Sequence, residues 1–293
     1  DPHTQRCNMK NSAVKKQENQ TVPKLWQPTD APYLRVWIKN ELLPQTGGTT
    51  VSSITDGRAS SPNVYAQATS SRQPTMVLPA SKGAQYFGAE TLYMNFDGSN
   101  DLVADESPEF DTDALAPGDM IFCLPVRLDR VLTSVNATIF SLLRNGSNEE
   151  LRLFYSSVST GNKISFRAQN PLLVKTLQGT DNLVDTTVLV SGHIIGEASG
   201  NNMKLFQNGT EIDQDNFAYN FSGNHDFVIG ALNTSAAQVF EGFIPEMCMY
   251  TFATRGSMVA NTRERVEGYM AHKFGLTSSL PATHPYKYGP PRV

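Results

Sequence analysis

Three carboxylates at alternate positions make residues 209–217, GTEIDQDNF, the stretch of the chain most suited to chemistry. Glu211, Asp213 and Asp215 have the period of two that places side chains on one face of a β-strand. Retaining hydrolysis of a glycosidic bond needs two carboxyl groups about 5 Å apart. Carboxyl groups at alternate positions of one strand can come close to this separation. The competing interpretation is a solvated strand, because the stretch directly follows an Asn-Gly turn and both tryptophans of the chain lie far away in sequence. We favour the solvated strand and predict that the protein is not an enzyme.

An acidic turn supplies a second set of polar side chains. Oxygen-bearing residues cluster in the segment DGSND, at Asp97, Ser99, Asn100 and Asp101. Calcium prefers such oxygen ligands, and it is the one cofactor that the sequence suggests. In the alternative interpretation, Asp97 and Asn100 bond their own backbone in a polar turn. Both interpretations stay open at this point.

Other constellations that could support catalysis are incomplete. His193 lies within a strand-like segment, and His225 neighbours Asp226 without a nucleophile elbow before it. Cys123 and Cys248 lie in apolar strands, which predicts buried thiols, and a disulfide between them stays open. The sequence has no cysteine spacing typical of a metal site.

Composition limits the fold and the partners. The chain has 293 residues, of which 39% are hydrophobic and 18% charged, with a formal net charge of −4. This length allows one large β domain with appendages. The net charge argues against a dedicated nucleic-acid binder, which would carry a basic surplus. No apolar run approaches the roughly 18 residues that cross a membrane as a helix, so we predict no membrane span.

Short strands separated by turns dominate the chain from Tyr33 onward. The segments with the length and alternation of half-buried strands are YLRVWIK, MIFCLPVRL, ATIFSLL, LRLFYSS, KISFRAQ, TTVLVSGHII, MKLFQNGTEI, DFVIGAL and FIPEMCMYTF. The Asn208-Gly209 pair within one of them is the strongest short-range signal for a hairpin. Residues 52–77 are polar and predict a long surface loop. Together these features predict an all-β sandwich.

The first residues of the chain differ from the rest. Residues 1–28, which we call the arm, have few apolar side chains and no sustained period. The arm carries an excess of basic residues, at Arg6, Lys10, Lys15, Lys16 and Lys24. It is either a disordered leader or a segment that orders against a partner chain, with Leu25 and Trp26 as its anchor.

The chain ends with residues 261–293, which we call the clasp, where one helix precedes a proline-rich tail. An apolar stripe at helical spacing is formed by Val266, Tyr269, Met270 and Phe274. Asn261 and Glu264 are suited to cap the start of this helix, and Gly275 to end it. Gly268 in its middle costs about 1 kcal/mol relative to alanine, which predicts close approach to another element. We therefore expect the helix to lie flat against a sheet.

The tail of the clasp must run extended over the surface, because proline cannot join a sheet ladder internally. Its prolines are Pro281, Pro285, Pro290 and Pro291. Packing by His284, Tyr286 and Tyr288 is expected to hold it in place.

The order of these segments resembles a known family. YMNFDGSNDLV, VLVSGHIIGEASGNNMKLFQNGTEI, FVIGALNTSAAQVFEGFIPEMCMYTFA and RVEGYMAHKFGLTSSLPATHPYK follow one another as in the concanavalin A-like, laminin-G-type jelly-roll domains of bacteriophage virion proteins. The most specific block is EGYMAHKFGL…LP…HPYK, and the resemblance covers residues 32–291 but not the arm. It implies a jelly-roll β-sandwich over residues 29–260, with the arm before it and the clasp packed on it.

The resemblance also implies a function. We expect a non-enzymatic structural protein on the exterior of the virion, either a capsid decoration (cement) protein or a tail component. Its expected partners are other virion proteins, such as the major capsid protein or tail subunits, and its own copies. The alternative is a carbohydrate-binding adhesin of the tail or fibre, with loop aromatics at Tyr65, Tyr86 and Phe87 as a platform for host or environmental glycans.

Overall fold

The computed structural model describes residues 23–58, 62–77, 92–105, 119–129, 132, 136–144, 148–157, 161–170, 173–180, 182–195, 202–217, 225–252 and 261–293. Within these ranges the strands are β1 (Leu34–Ile38), β2 (Ser53–Thr55), β3 (Val64–Ala66), β4 (Thr75–Val77), β5 (Tyr93–Asp97), β6 (Val103–Asp105), β7 (Asp119–Leu128), β8 (Ala137–Arg144), β9 (Asn148–Ser156), β10 (Lys163–Asn170), β11 (Leu173–Gln178), β12 (Thr187–Ile194), β13 (Met203–Gln207), β14 (Thr210–Asp215), β15 (His225–Ile229), β16 (Glu241–Ile244) and β17 (Met247–Phe252). The α-helix of the described residues is α1 (Thr262–Lys273).

The strands form two sheets, and the neighbouring strands named here are antiparallel within each sheet. The first sheet has the order β14-β13-β12-β7-β16-β5-β4, and β17 pairs with β7 and carries β1 at its other edge. The second sheet has the order β11-β10-β9-β8-β15-β6-β3-β2. Strands that are distant in sequence are thus neighbours in both sheets, as in jelly-roll topologies. The predicted all-β jelly-roll sandwich is confirmed.

Alternation along the strands places most of the buried apolar side chains in two layers, beside a small third cluster around Leu102 and Val228. The main core lies between the sheets and contains Phe122, Phe140, Phe166 and Phe227, all buried. A second buried cluster lies on the outer face of the first sheet, where residues such as Cys123 pack beneath α1. Burial of apolar surface contributes roughly 25 cal/mol per Å², so two such layers stabilise the sandwich without a disulfide.

The predicted hairpin is confirmed. Asn208 and Gly209 connect β13 to β14 with φ values of 52° and 77°. Two consecutive left-handed residues make the turn whose twist matches the flanking strands.

The prediction of a long surface loop over residues 52–77 is wrong. The described part of this segment contributes β2 and β3 to one sheet and β4 to the other. Each of these strands is three residues long and buries a single apolar side chain, at Ile54, Tyr65 and Met76.

Helix α1 packs on the first sheet, as expected. Val266, Met270 and Phe274 are buried in the second apolar cluster. The predicted cap at Asn261 is wrong, since its side chain makes no capping hydrogen bond. The predicted end is confirmed, because Gly275 has φ of 70° and the Leu276 amide donates to the Ala271 carbonyl at 2.8 Å, the long bond of a Schellman motif.

Gly268 does make a close approach, but the neighbour is the tail rather than the sheet. A Cβ atom added at Gly268 would lie 2.5 Å from Cβ of Tyr286. The helix is therefore held between the sheet on one side and the tail on the other. No helix in the described part of the chain has the length and apolar character to cross a membrane.

Candidate functional site

The three acids of β14 do not share a face, contrary to the prediction from their spacing. A β-bulge leaves Glu211 opposite Phe206 and Asp213 opposite Leu205. Leu205 points into the core between the sheets, whereas Phe206 packs against His193 on the outer face. Directly opposed residues share a face, so the bulge sends Glu211 and Asp213 to opposite sides of the sheet.

Each of these acids has a partner of its own. Glu211 forms an ion pair with Lys204 at 2.7 Å on the outer face. Asp213 accepts a hydrogen bond from the Gln178 amide of the other sheet at 2.8 Å.

Asp215 forms an ion pair with Lys175 at 2.8 Å, and this ammonium group holds the pKa of Asp215 below its ordinary value. Lys175 and Gln178 both lie on β11, the edge strand of the second sheet. Asp213 and Asp215 thus join the edges of the two sheets, while Glu211 pairs within its own sheet, so the three acids do not converge on a cleft.

The acidic turn adopts the geometry of a polar turn. Asp97 accepts a hydrogen bond from the Ser99 amide at 2.8 Å, and Asp101 accepts one from the Asp97 amide at 2.9 Å. Asp101 is buried, and burial raises its pKa to about 6. The described residues contain no group of three or more histidine, cysteine, aspartate or glutamate side chains placed to hold a metal ion. Calcium binding at Asp97, Ser99, Asn100 and Asp101 stays a prediction from sequence.

The structure removes Tyr65 from the predicted glycan platform. Its ring is fully buried and packs edge-on against Phe227 at a centroid distance of 5.8 Å. The short strand β3 places this residue in the core, so it cannot contact a sugar from the surface. Tyr86 and Phe87 lie outside the described residues.

His193 is buried on the outer face beside Phe206. Burial, with help from the nearby cations Arg263 and Lys204, lowers its pKa to about 3. An imidazole with this pKa is a poor general base near neutral pH, where efficient catalysis needs a pKa close to the working pH.

The arm meets the clasp at its last residues. Trp26 is buried against Tyr269 of α1, with ring centroids 6.3 Å apart, so it anchors the arm to its own chain rather than to a partner. The Trp26 amide donates to the Pro291 carbonyl, and the Val293 amide donates to the Lys24 carbonyl, both at 2.9 Å. Residues 23–26 and 291–293 thus form a short antiparallel pair, which we call the end ribbon. Of the predicted arm residues, Arg6, Lys10, Lys15 and Lys16 lie outside the described part of the chain.

The end ribbon and its surroundings expose apolar side chains. Leu25, the second predicted anchor, is 52% exposed, and Val293 is 67% exposed. Tyr288, which the sequence predicted to hold the tail in place, is 85% exposed. His284 and Tyr286 do hold the tail, as predicted. The residue that was not predicted is Lys287, whose Nζ atom donates to three backbone carbonyls of the clasp.

A buried glutamate on α1 joins three elements. Both carboxylate oxygens of Glu267 accept from Arg263 Nη1 at 2.6 Å. The same carboxylate accepts from the Ser191 hydroxyl of β12 and lies 3.1 Å from His284 Nε2 of the tail. Arg263 also stacks on Phe206 of β13 at 3.8 Å. Helix, sheet and tail are thereby connected through one charged group.

A second buried glutamate secures the other end of α1. Glu246, between β16 and β17, accepts from Trp37 Nε1 at 2.8 Å and from Lys273 Nζ. Lys273 also pairs with Glu41 at 2.8 Å. Burial raises the pKa of Glu246, and Lys273 opposes that shift.

The sequence alone does not mark Glu246 or Glu267 as important. The one local signal was the spacing of Arg263 and Glu267, four residues apart on a helix. Their remaining partners are far apart in the chain, so spacing could not reveal them.

A scan against protein-family models finds no match, and a search of curated proteins finds none either. Among solved structures, the chain is similar to domain 4 of AbnA, an extracellular GH43 arabinanase from Geobacillus stearothermophilus, with 11% identity and a TM-score of 0.47, over 79% of this chain and 98% of that one. It is also similar to the CBM40 of the Ruminococcus gnavus IT-sialidase, with 15% identity and a TM-score of 0.39, over 50% of this chain and 80% of that one. A third is the SAP-like pentraxin of Limulus polyphemus, with 12% identity and a TM-score of 0.43, over 59% of this chain and 79% of that one.

Proposed function

We propose that this protein is a non-enzymatic structural protein of a bacteriophage particle, displayed on the capsid exterior and attached through its arm. The observation that carries the proposal is the end ribbon, in which residues 23–26 pair with residues 291–293. The ribbon fixes the root of a basic arm to the clasp. A segment attached to a rigid root can reach a neighbouring subunit while the sandwich keeps its own orientation.

The contacts around the ribbon support such a rigid root. Arg292 donates to the Pro23 carbonyl at 3.1 Å, and Tyr250 of β17 donates to the Pro28 carbonyl at 2.9 Å. Trp26 fills the space between the ribbon and α1. The end of the arm is therefore bound both to the first sheet, through Tyr250, and to the helix, through Trp26.

The exposed apolar side chains at this end suit a contact with another protein. Leu25, Tyr288 and Val293 add apolar area at the end of the molecule that carries Lys24, the basic arm residue that the structure describes. Such a surface fits a partner with an acidic face and an apolar depression. Even if each copy binds weakly, many copies bound side by side gain affinity through multivalency.

The positions of the carboxylates support a role without catalysis. Glu211 and Asp213 point to opposite faces, and the buried Glu246 and Glu267 are occupied by structural partners. The phage assignment is supported by the resemblance of residues 267–287, its most specific block, since this block lies in the clasp that the end ribbon joins.

The test is imaging of intact particles that carry the full chain or a variant lacking residues 1–22. We expect hundreds of copies on the capsid for the full chain, and loss of most copies for the truncated variant, whose thermal unfolding should change little. A matched variant with Lys10, Lys15 and Lys16 changed to glutamate is expected to lose occupancy as well. A handful of copies at the tail would contradict capsid decoration, and full occupancy without the arm would contradict attachment through it.

A further inference from the structure

Two cysteines that are far apart in sequence lie directly opposite each other in the first sheet. Cys123 of β7 is the register partner of Cys248 of β17 in an antiparallel pair. The structure shows both as free thiols.

The two side chains share the outer face of the sheet. Both are fully buried in the cluster between this face and α1. Directly opposed residues of an antiparallel pair have Cα atoms about 4.5–5.5 Å apart. A disulfide spans Cα distances of about 4.4–6.8 Å, so the backbone is already spaced for a bond.

We propose that Cys123 and Cys248 form a reversible cross-strand disulfide by exchange with a small-molecule disulfide, and that the clasp covers the pair once it is formed. The site is thus a covalent modification site on the sheet, and its co-reactant is a compound of the glutathione disulfide class. The bond would connect β7 with β17, two strands that are far apart in the sequence.

The exchange proceeds in two balanced steps. One cysteine thiolate attacks a sulfur of the small disulfide, which forms a protein–small-molecule mixed disulfide and releases one small thiolate. The second cysteine thiolate then attacks the protein sulfur of that mixed disulfide and releases the second small thiolate. The two cysteine protons pass to the released thiolates, so the protein dithiol is oxidised and the small disulfide is reduced to two thiols.

The clasp determines when these steps are possible. The thiolate is the reacting form, and burial raises the pKa of both thiols well above the ordinary value. The helix also leaves no room for an incoming disulfide over two buried side chains. Exchange therefore belongs to the folding chain or to molecules in which the clasp has opened.

The experiment uses the full chain with Cys7→Ser, so that only the two sheet cysteines remain. The protein is unfolded in urea with reductant and refolded in a buffer of oxidised and reduced glutathione. We expect soluble monomer whose mass is lower by two hydrogens and whose digest contains one peptide linking residues 123 and 248. The native reduced protein in the same buffer should form the bond at least ten times more slowly. Dithiothreitol applied to the unfolded product should restore two thiols.

The controls are the two variants that keep only one of the sheet cysteines. Cys123→Ser and Cys248→Ser, each in the Cys7→Ser background, should yield no intramolecular link. If refolding gives no soluble monomer, native protein held for days in the same buffer should accumulate the same linked peptide. Retention of two free thiols, two glutathione adducts per chain, or dimers linked between chains would overturn the bond. Equal rates for native and refolding protein would overturn the role of the clasp.

Discussion

The acids of β14 and the two buried glutamates that hold α1, Glu246 and Glu267, use the same carboxylate group in opposite ways. Glu211 and Asp215 lie at a sheet edge, half-buried or exposed, and each has one lysine partner. Glu246 and Glu267 are fully buried, and each collects donors from different elements. Exposed ion pairs are worth about 0–1 kcal/mol, whereas removing one partner of a buried network costs about 3–5 kcal/mol. The acids that attract attention in the sequence are thus the less important pair for the fold.

The largest effect is expected from Glu267→Ala. The change leaves Arg263, Ser191 and His284 facing a cavity without their shared acceptor. We expect a loss of about 3–5 kcal/mol in the free energy of unfolding, measured by urea denaturation. The matched control is Glu264→Ala on the same helix, whose contact with Arg263 is 3.4 Å and partly exposed, with an expected loss below about 1 kcal/mol. Equal losses for both variants would remove the distinction between the two classes of acid.

A smaller effect is expected from Gly268→Ala, which tests how tightly the tail is packed on the helix. Alanine adds about 1 kcal/mol of helix propensity, but its Cβ would lie 2.5 Å from Cβ of Tyr286. Overpacking of this kind costs about 1–3 kcal/mol, so we expect net destabilisation in thermal unfolding.

Gly275→Ala is the comparison for that variant. No atom lies within 4 Å of the added Cβ, so its cost of about 1 kcal/mol would come from the left-handed backbone alone. A stabilised Gly268→Ala protein would show that the tail can move away from α1.

Asp101 lies between the two classes, since it is buried but accepts its hydrogen bond from a backbone amide. Its pKa is raised from the ordinary 3.8 to about 6 by burial. The folded state therefore holds more protons between these values, so the stability that Asp101 contributes is present below pH 3.8 and is lost as the pH rises through about 6. We expect Asp101→Asn to gain about 1–3 kcal/mol relative to the parent between pH 4 and pH 7.5, measured by urea denaturation at both values. A difference that does not change with pH would contradict the raised pKa.

The smallest effect is expected from Glu211→Gln. The variant loses one surface ion pair with Lys204, so its free energy of unfolding should fall by less than about 1 kcal/mol. In assays against a panel of polysaccharides, we expect neither the parent nor the variant to release reducing sugar. Activity in the parent that disappears in the variant would return β14 to the candidates for a catalytic strand.

Local signals in the sequence were sufficient for several elements and insufficient for others. The Asn208-Gly209 turn and the stripe from Val266 to Phe274 depend on neighbouring residues, and both were predicted correctly. Strands β2, β3 and β4 were missed, because three residues with one buried side chain leave no detectable period.

The candidate site was harder to predict for the same reason. The spacing of Glu211 and Asp213 indicated a shared face, but the bulge that separates them arises from pairing with β13. The partners Trp37 and Glu246 are 209 positions apart, which no local pattern could join.

The end ribbon has a practical consequence for peptide display. The Val293 amide lies 2.9 Å from the Lys24 carbonyl, so a passenger fused after Val293 would leave the molecule beside the arm. If the arm attaches the protein to a particle, as proposed, the fused peptide and the arm would then compete for the same space. A bulky fusion at this end should lower the number of bound copies, and a long flexible spacer should restore it.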